Sequence, residues 1–177
     1  MRAVVAVCLA VVLAGCHPAP KEDFSGDARL GPVVAAAEAA IAQVRDSGAE
    51  QWRAGWAGNA MVNVFGGGNR GLCWHWQVLV YQAVAEAAER AGLAVMGINA
   101  HVGRMNEHHA VVVFDPAERG AAGLLRRPLP SRAWVIDAWL RGRADVYRLE
   151  EWVEGIAKGP ERVGVEELRG QGLPVGE

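Results

Sequence analysis

Gly71-Leu72-Cys73-Trp74-His75-Trp76 is the stretch whose reading decides the fold. It closes a glycine-rich turn (Gly66, Gly67, Gly68, Gly71) and opens a run that reads as an amphipathic helix to about Arg90. Cys73, Trp76, Val80, Val84, Ala87 and Ala91 follow steps of three and four and form an apolar stripe, with Glu86, Glu89 and Arg90 off it. Cys73 therefore falls where the first turn meets the core. The start of a helix leaves N–H groups without intrahelical partners and carries partial positive charge. A thiol placed there has its thiolate stabilised, and the thiolate is the nucleophile. His75 is only two residues on and points to another side of the helix, so it reads as a surface or packing residue. The triple glycine is not followed by Gly-Lys-Ser/Thr, so it reads as a flexible entry to the helix rather than a phosphate cradle.

Downstream, Leu93 to Ala100 reads as a strand, followed by a turn-rich connection from His101 to Glu107. His108 to Phe114 is the clearest strand, because Val111-Val112-Val113 favours the pleated state. Glu118 to Arg132, with its glycines, prolines and Arg126-Arg127 pair, reads as an exposed loop, and Ala133 to Leu140 as another strand. On these strands His109 shares a face with Val111 and Val113, and Asp137 shares one with Val135 and Trp139. Leu149 to Ala157 reads as a short helix, and residues 158–177 as a weakly ordered or surface-wrapping tail. Upstream, Pro32 suits a first helical turn, and Val33, Ala37, Ala40, Ile41 and Val44 continue at helical spacing until Gly48. Gln51 to Ala60 reads as a second short helix, with Trp52 and Trp56 packing on one face. The whole is an α+β domain over residues 32–157: helices on the N-terminal side, including the Cys73 helix, packed on a small antiparallel sheet.

The chain has 177 residues and a formal charge of -2, so no polyanion-binding surface and no nucleic-acid partner are implied. Its 51% hydrophobic content is raised by alanine and by the first residues, and no later stretch reaches the ~18 consecutive apolar residues of a membrane span. Met1-Arg2, the apolar run Ala3 to Ala14 and the tetrapeptide Leu13-Ala14-Gly15-Cys16 form a leader too short to span comfortably. The tetrapeptide resembles the bacterial lipobox. That resemblance implies a signal peptide over residues 1–15, cleavage before Cys16, and lipid on its thiol and new amino group. His17 follows rather than aspartate, which in a Gram-negative cell implies the periplasmic face of the outer membrane. Residues 16–31, with prolines and charges, read as the tether. Cys8 leaves with the leader and Cys16 carries lipid, so Cys73 is the one free thiol of the mature chain. A lone cysteine outside the cytoplasm reads as reactive or as a small buried apolar residue.

A thiol hydrolase needs a thiolate, an imidazole for the proton and a group that orients the imidazole. Here the chain resembles the transglutaminase-like branch of the papain-like cysteine enzymes. The family's Gly-x-Cys-Trp at a helix start is matched by Gly71-Leu72-Cys73-Trp74, and its His-Ala or His-Val opening an apolar strand by His109-Ala110-Val111. Its tryptophan shortly before a strand-borne aspartate is matched by Trp134 and Asp137. The match covers roughly residues 60–140, and Ala138-Trp139 stands where the family often carries small polar residues or proline. The resemblance implies Cys73 as nucleophile, His109 as base and Asp137 as orienter, with the adjacent His108 as the alternative base. It also implies an amide or ester carbonyl in a protein, peptide or peptidoglycan peptide as substrate, with no metal or organic cofactor. Asp137 would alternatively pair with Arg141 or Arg143, and Asn69 is the candidate oxyanion donor besides the Cys73 N–H. Three rivals remain. An NlpC-like peptidoglycan endopeptidase would carry Asp-Cys-Ser-Gly, which is absent. A metal-binding lipoprotein would use Cys73, His101, His108 and His109 without the close ligand spacings of such sites. A non-catalytic envelope lipoprotein would keep the fold as a binding module.

Overall fold

The computed structural model describes residues 27–47, 51–55 and 69–170. The stretch read as a leader, the expected lipidation position Cys16, most of the stretch read as a tether, Trp56 and the triple glycine lie outside these residues. Within them the chain is α+β, with a five-stranded antiparallel sheet between two apolar layers.

Helix α1 spans Leu30–Asp46 and buries Leu30, Val33, Val34, Ala37 and Ile41. The expected helix from Gln51 is not formed at its start: β1 (Gln51–Trp52) pairs in parallel with β2 (Asn69–Arg70). Helix α2 spans Cys73–Arg90, as its stripe requires, and Cys73, Trp76, Val80, Val84 and Ala87 are buried. Gly92, at φ +68°, ends it in the left-handed conformation that glycine adopts without steric cost. Gly92 N–H then donates to Glu89 O at 3.0 Å and Leu93 N–H to Ala88 O at 2.9 Å, a Schellman closure.

Strands β3 (Ala94–Ala100), β4 (His108–Phe114), β5 (Ala133–Asp137), β6 (Asp145–Arg148) and β7 (Val163–Glu166) lie in the order β6-β5-β4-β3-β7. Val111, Val112 and Val113 are fully buried, since the central strand β4 is covered on both faces. Val111 and Val113 meet α1 and α2 with Trp134, Ile136 and Val146. Ala110, Val112 and Phe114 meet Leu124, Val135, Tyr147 and the short helix α3 (Leu149–Trp152), which runs on as a π-turn over Val153–Ala157.

Other expectations are corrected here. Strand β5 stops at Asp137 rather than Leu140, because the Asp137 carboxylate accepts the N–H of Trp139 at 3.2 Å and turns the chain out of the ladder. The segment read as a surface tail contributes β7, which pairs with β3 from Gly97 to Ala100, and Leu168 is buried beyond it. The end of the stretch read as a tether is also engaged: Arg29 bridges Asp27 and the buried Asp115, to which Arg132 is also paired. Among the described residues no helix is long and apolar enough to cross a membrane.

Candidate active site

The start of α2 is built by the residues around Cys73. Leu72, the N-cap, is extended and has no side chain able to accept a backbone hydrogen bond. His75 does that work from the third helical position: its Nδ1 accepts the N–H of Gly71 at 3.1 Å and of Leu72 at 3.3 Å. His75 is therefore a buried capping residue, not the surface residue its spacing from Cys73 allowed. The neighbouring segment locks over this turn. Trp76 Nε1–H donates to Arg53 O at 3.2 Å, the rings of Trp52 and Trp76 meet edge to face at 4.8 Å, and Gly55 N–H donates to Trp139 O.

Sheet register decides which histidine meets the thiol. Val111 pairs with Ile136, so Ile136 shares the face of Val111, and Asp137 falls on the opposite face with Ala110 and His108. His108 Nε2–H donates to Asp137 Oδ2 at 2.5 Å, and both side chains are buried. The Cys73 sulfur interacts with the same imidazole, by hydrogen bonding and by charge, and raises its affinity for a proton. Cys73 Sγ also lies 3.8 Å from the carbonyl oxygen of Glu107, the residue before the strand. The structure thus brings together Cys73, His108 and Asp137.

His109, the base implied by the resemblance, is not part of this group. It lies on the other face of β4, where its Nε2–H donates to Glu107 Oε1 at 2.7 Å, and its Nδ1 is buried without a partner. Glu107 and His109 are alternate residues of an extended chain and so share a side, a signal present in the sequence. Arg141 and Arg143, the alternative partners of Asp137, both pair with Asp145 instead. The oxyanion role considered for Asn69 concerns a side chain outside what is described.

Asp137 accepts three hydrogen bonds: from His108, from the Trp139 N–H, and from the Trp152 indole N–H at 3.3 Å. Trp139 and Trp152 also flank the imidazole, with ring centroids 5.1 and 6.0 Å from that of His108, the Trp152 ring nearly parallel to it. Trp139 thus supplies both a donor and a wall. Trp152 comes from α3, and nothing local in the sequence marks it.

Electrostatically the pair is tightly coupled. Burial disfavours a charged imidazole, but the Asp137 carboxylate, and after it the Cys73 sulfur, outweigh burial and push His108 up to about 10. Burial likewise works against ionised Asp137, and the facing imidazole with the Trp152 and Trp139 donors holds it below the ordinary carboxyl value. The imidazole on the other face, His109, together with the Gly103 N–H, keeps Glu107 low as well. Chemically, this is a thiol next to an imidazole that can take and keep its proton, with a carboxylate fixing the ring's tautomer and orientation. Among the described residues, no group of three or more His, Cys, Asp or Glu side chains is arranged to hold a metal ion.

Comparison with protein-family models, with curated proteins and with solved structures found no match to this chain.

Proposed function

We propose that this chain is a thiol enzyme of the transglutaminase-like, papain-like kind, acting on an amide or ester carbonyl. The observation that carries the proposal is the buried His108–Asp137 bond of 2.5 Å with the Cys73 thiol on the same imidazole. His108 replaces His109 as the base in this reading. The proton of the Cys73–His108 pair rests on His108, and the sulfur adds as thiolate to the carbonyl carbon. The oxyanion formed there is stabilised by N–H groups at the start of α2, Cys73 among them. The carbon–nitrogen or carbon–oxygen bond then breaks, the leaving group receives the proton from His108, and a thioester to Cys73 remains. Water or an amine attacks the thioester with His108 as base, releasing acid or transferred acyl product and restoring the thiol. Asp137 holds the ring and balances its charge without taking the proton.

The leader adds a location to this reading. Lipid on Cys16 would hold the domain at the cell envelope, within reach of protein, peptide or peptidoglycan-peptide substrates. In a Gram-negative cell, this is the periplasmic face of the outer membrane.

The test is trapping of the covalent intermediate. Purified domain incubated with the activated ester p-nitrophenyl acetate should gain one acetyl mass on Cys73, removable by hydroxylamine, and Cys73→Ala should gain none. Acetylation spread over lysines with Cys73 unmodified would refute the enzyme reading. One observation favours a second reading, a binding module that keeps the fold: Cys73 is only 8% exposed. An inert thiol in a folded protein would support it.

A further inference from the structure

Gln77 is a buried amide on the helix that carries Cys73, 3% exposed. Its Nε2 donates to the carbonyl oxygens of Ala110 at 2.8 Å and Ile98 at 3.2 Å, one on β4 and one on β3. An amide NH2 carries two hydrogens on one nitrogen, so a single side chain serves both carbonyls. Gln77 lies four residues after Cys73 and so on the same side of α2. Ala110 lies two residues after His108 on β4, and Gln77 reaches its main-chain carbonyl. The amide therefore ties the helix one turn below the thiol to the strand one step beyond the imidazole.

Gly97 makes room for it. A Cβ at that position would stand 2.8 Å from Gln77 Nε2, and also 2.9 Å from Leu168 Cδ1 and 3.0 Å from Glu166 Cγ. The first two are closer than a Cβ packs and the third is tight, so a side chain at this position would displace the Gln77 amide or its neighbours.

We propose that Gln77, admitted by Gly97, is a positioning residue that sets the approach of Cys73 to His108. This rests on the thiol-enzyme reading above. A nucleophile and its base work only within narrow limits of distance and angle, and small displacements by distant groups cost large factors in rate. A helix packed on a sheet by apolar contacts alone can slide by fractions of an ångström, whereas a forked hydrogen bond to two strands fixes its register.

The test is the ratio of the Cys73 alkylation rate by iodoacetamide at pH 6 to that at pH 9, measured on the folded domain. The variants are Gln77→Met, which keeps length and removes the donors, Gly97→Ala, and Val84→Ala as a control buried on the same helix. Gln77→Met and Gly97→Ala should each lower the ratio about tenfold, with little further loss in the double variant. Val84→Ala should lower the melting temperature and leave the ratio at the wild-type value. A wild-type ratio in Gln77→Met, or an equal fall in Val84→Ala, overturns the positioning role. A wild-type protein whose own ratio is that of a free cysteine overturns the thiol-enzyme reading beneath it.

Discussion

Replacing Asp137 by asparagine keeps the shape of the side chain and removes its charge. In the native site Oδ2 accepts His108 Nε2–H at 2.5 Å and the Trp152 indole N–H at 3.3 Å, while Oδ1 accepts the Trp139 N–H at 3.2 Å. Asparagine offers one acceptor oxygen and an NH2 group, so at least one buried donor meets another donor, costing about 1–3 kcal/mol. The lost charge matters more. With the carboxylate gone, burial acts on His108 with little to oppose it, and the ring should titrate at or below its ordinary value of 6.5 rather than at about 10. Breaking a buried pair from one side in this way costs on the order of 3–5 kcal/mol. Because His108 is raised, its contribution is fully present below about pH 6.5 and is lost as pH rises through about 10. Because Asp137 is lowered, its contribution is present above its ordinary value of 3.8 and is lost as pH falls through the lower native value. Wild type should therefore show a stability plateau between about pH 4 and about pH 6.5, falling from there to about pH 10, that the variant lacks, with a melting temperature about 10 °C higher at pH 7. NMR titration of the His108 ring and thermal melts across that range measure both effects. Titration of His108 at the same pH in both proteins, or melting curves that coincide, would refute the reasoning.

Two further outcomes follow from the same geometry and from the leader. Trp152→Phe keeps an aromatic wall against His108 and removes the indole N–H from Asp137, so stability should fall by about 1–2 kcal/mol and His108 should titrate slightly higher, because the less satisfied carboxylate holds its proton partner harder; a fall in the His108 value would count against the assigned bond. Mass spectrometry of protein extracted from cell envelopes should find a diacylglyceryl or triacyl mass on Cys16 as the mature first residue, and an unmodified terminus elsewhere would end the lipoprotein reading.

Much of this fold can be read from local pattern. The Cys73–Arg90 helix follows from its own stripe and from the glycine that ends it, and β4 from three successive valines. Both signals are carried within one element. The base is different in kind. His108 and His109 are neighbours, and the one that meets Asp137 depends on the parity of pairing between β4 and β5, Val111 against Ile136. A shift of one residue would exchange the two faces, and no residue within either strand states the register. The Glu107-x-His109 spacing was the available clue, since it gives His109 a carboxylate of its own. Trp152 and Gln77 escaped for a related reason: each acts through partners more than ten residues away in sequence. Strands β6 and β7 have four residues each, too short for a periodicity to declare itself, and β7 takes its place at the sheet edge from pairing with β3.

The central claim is that His108, and not His109, activates Cys73, and the pH dependence of Cys73 alkylation tests it most directly. A cysteine at the free-thiol value of about 8.5 is only about 0.3% thiolate at pH 6, so reaction there reports on help from a neighbour. Iodoacetamide rates at pH 6 and pH 9 are compared among wild type, His108→Ala and His109→Ala, with circular dichroism confirming the fold of each. The account predicts that His108→Ala loses the pH 6 reaction by tenfold or more, on the order of a removed general base, while His109→Ala reacts as wild type does. Loss in His109→Ala with His108→Ala unchanged, or free-cysteine behaviour in all three, would contradict it.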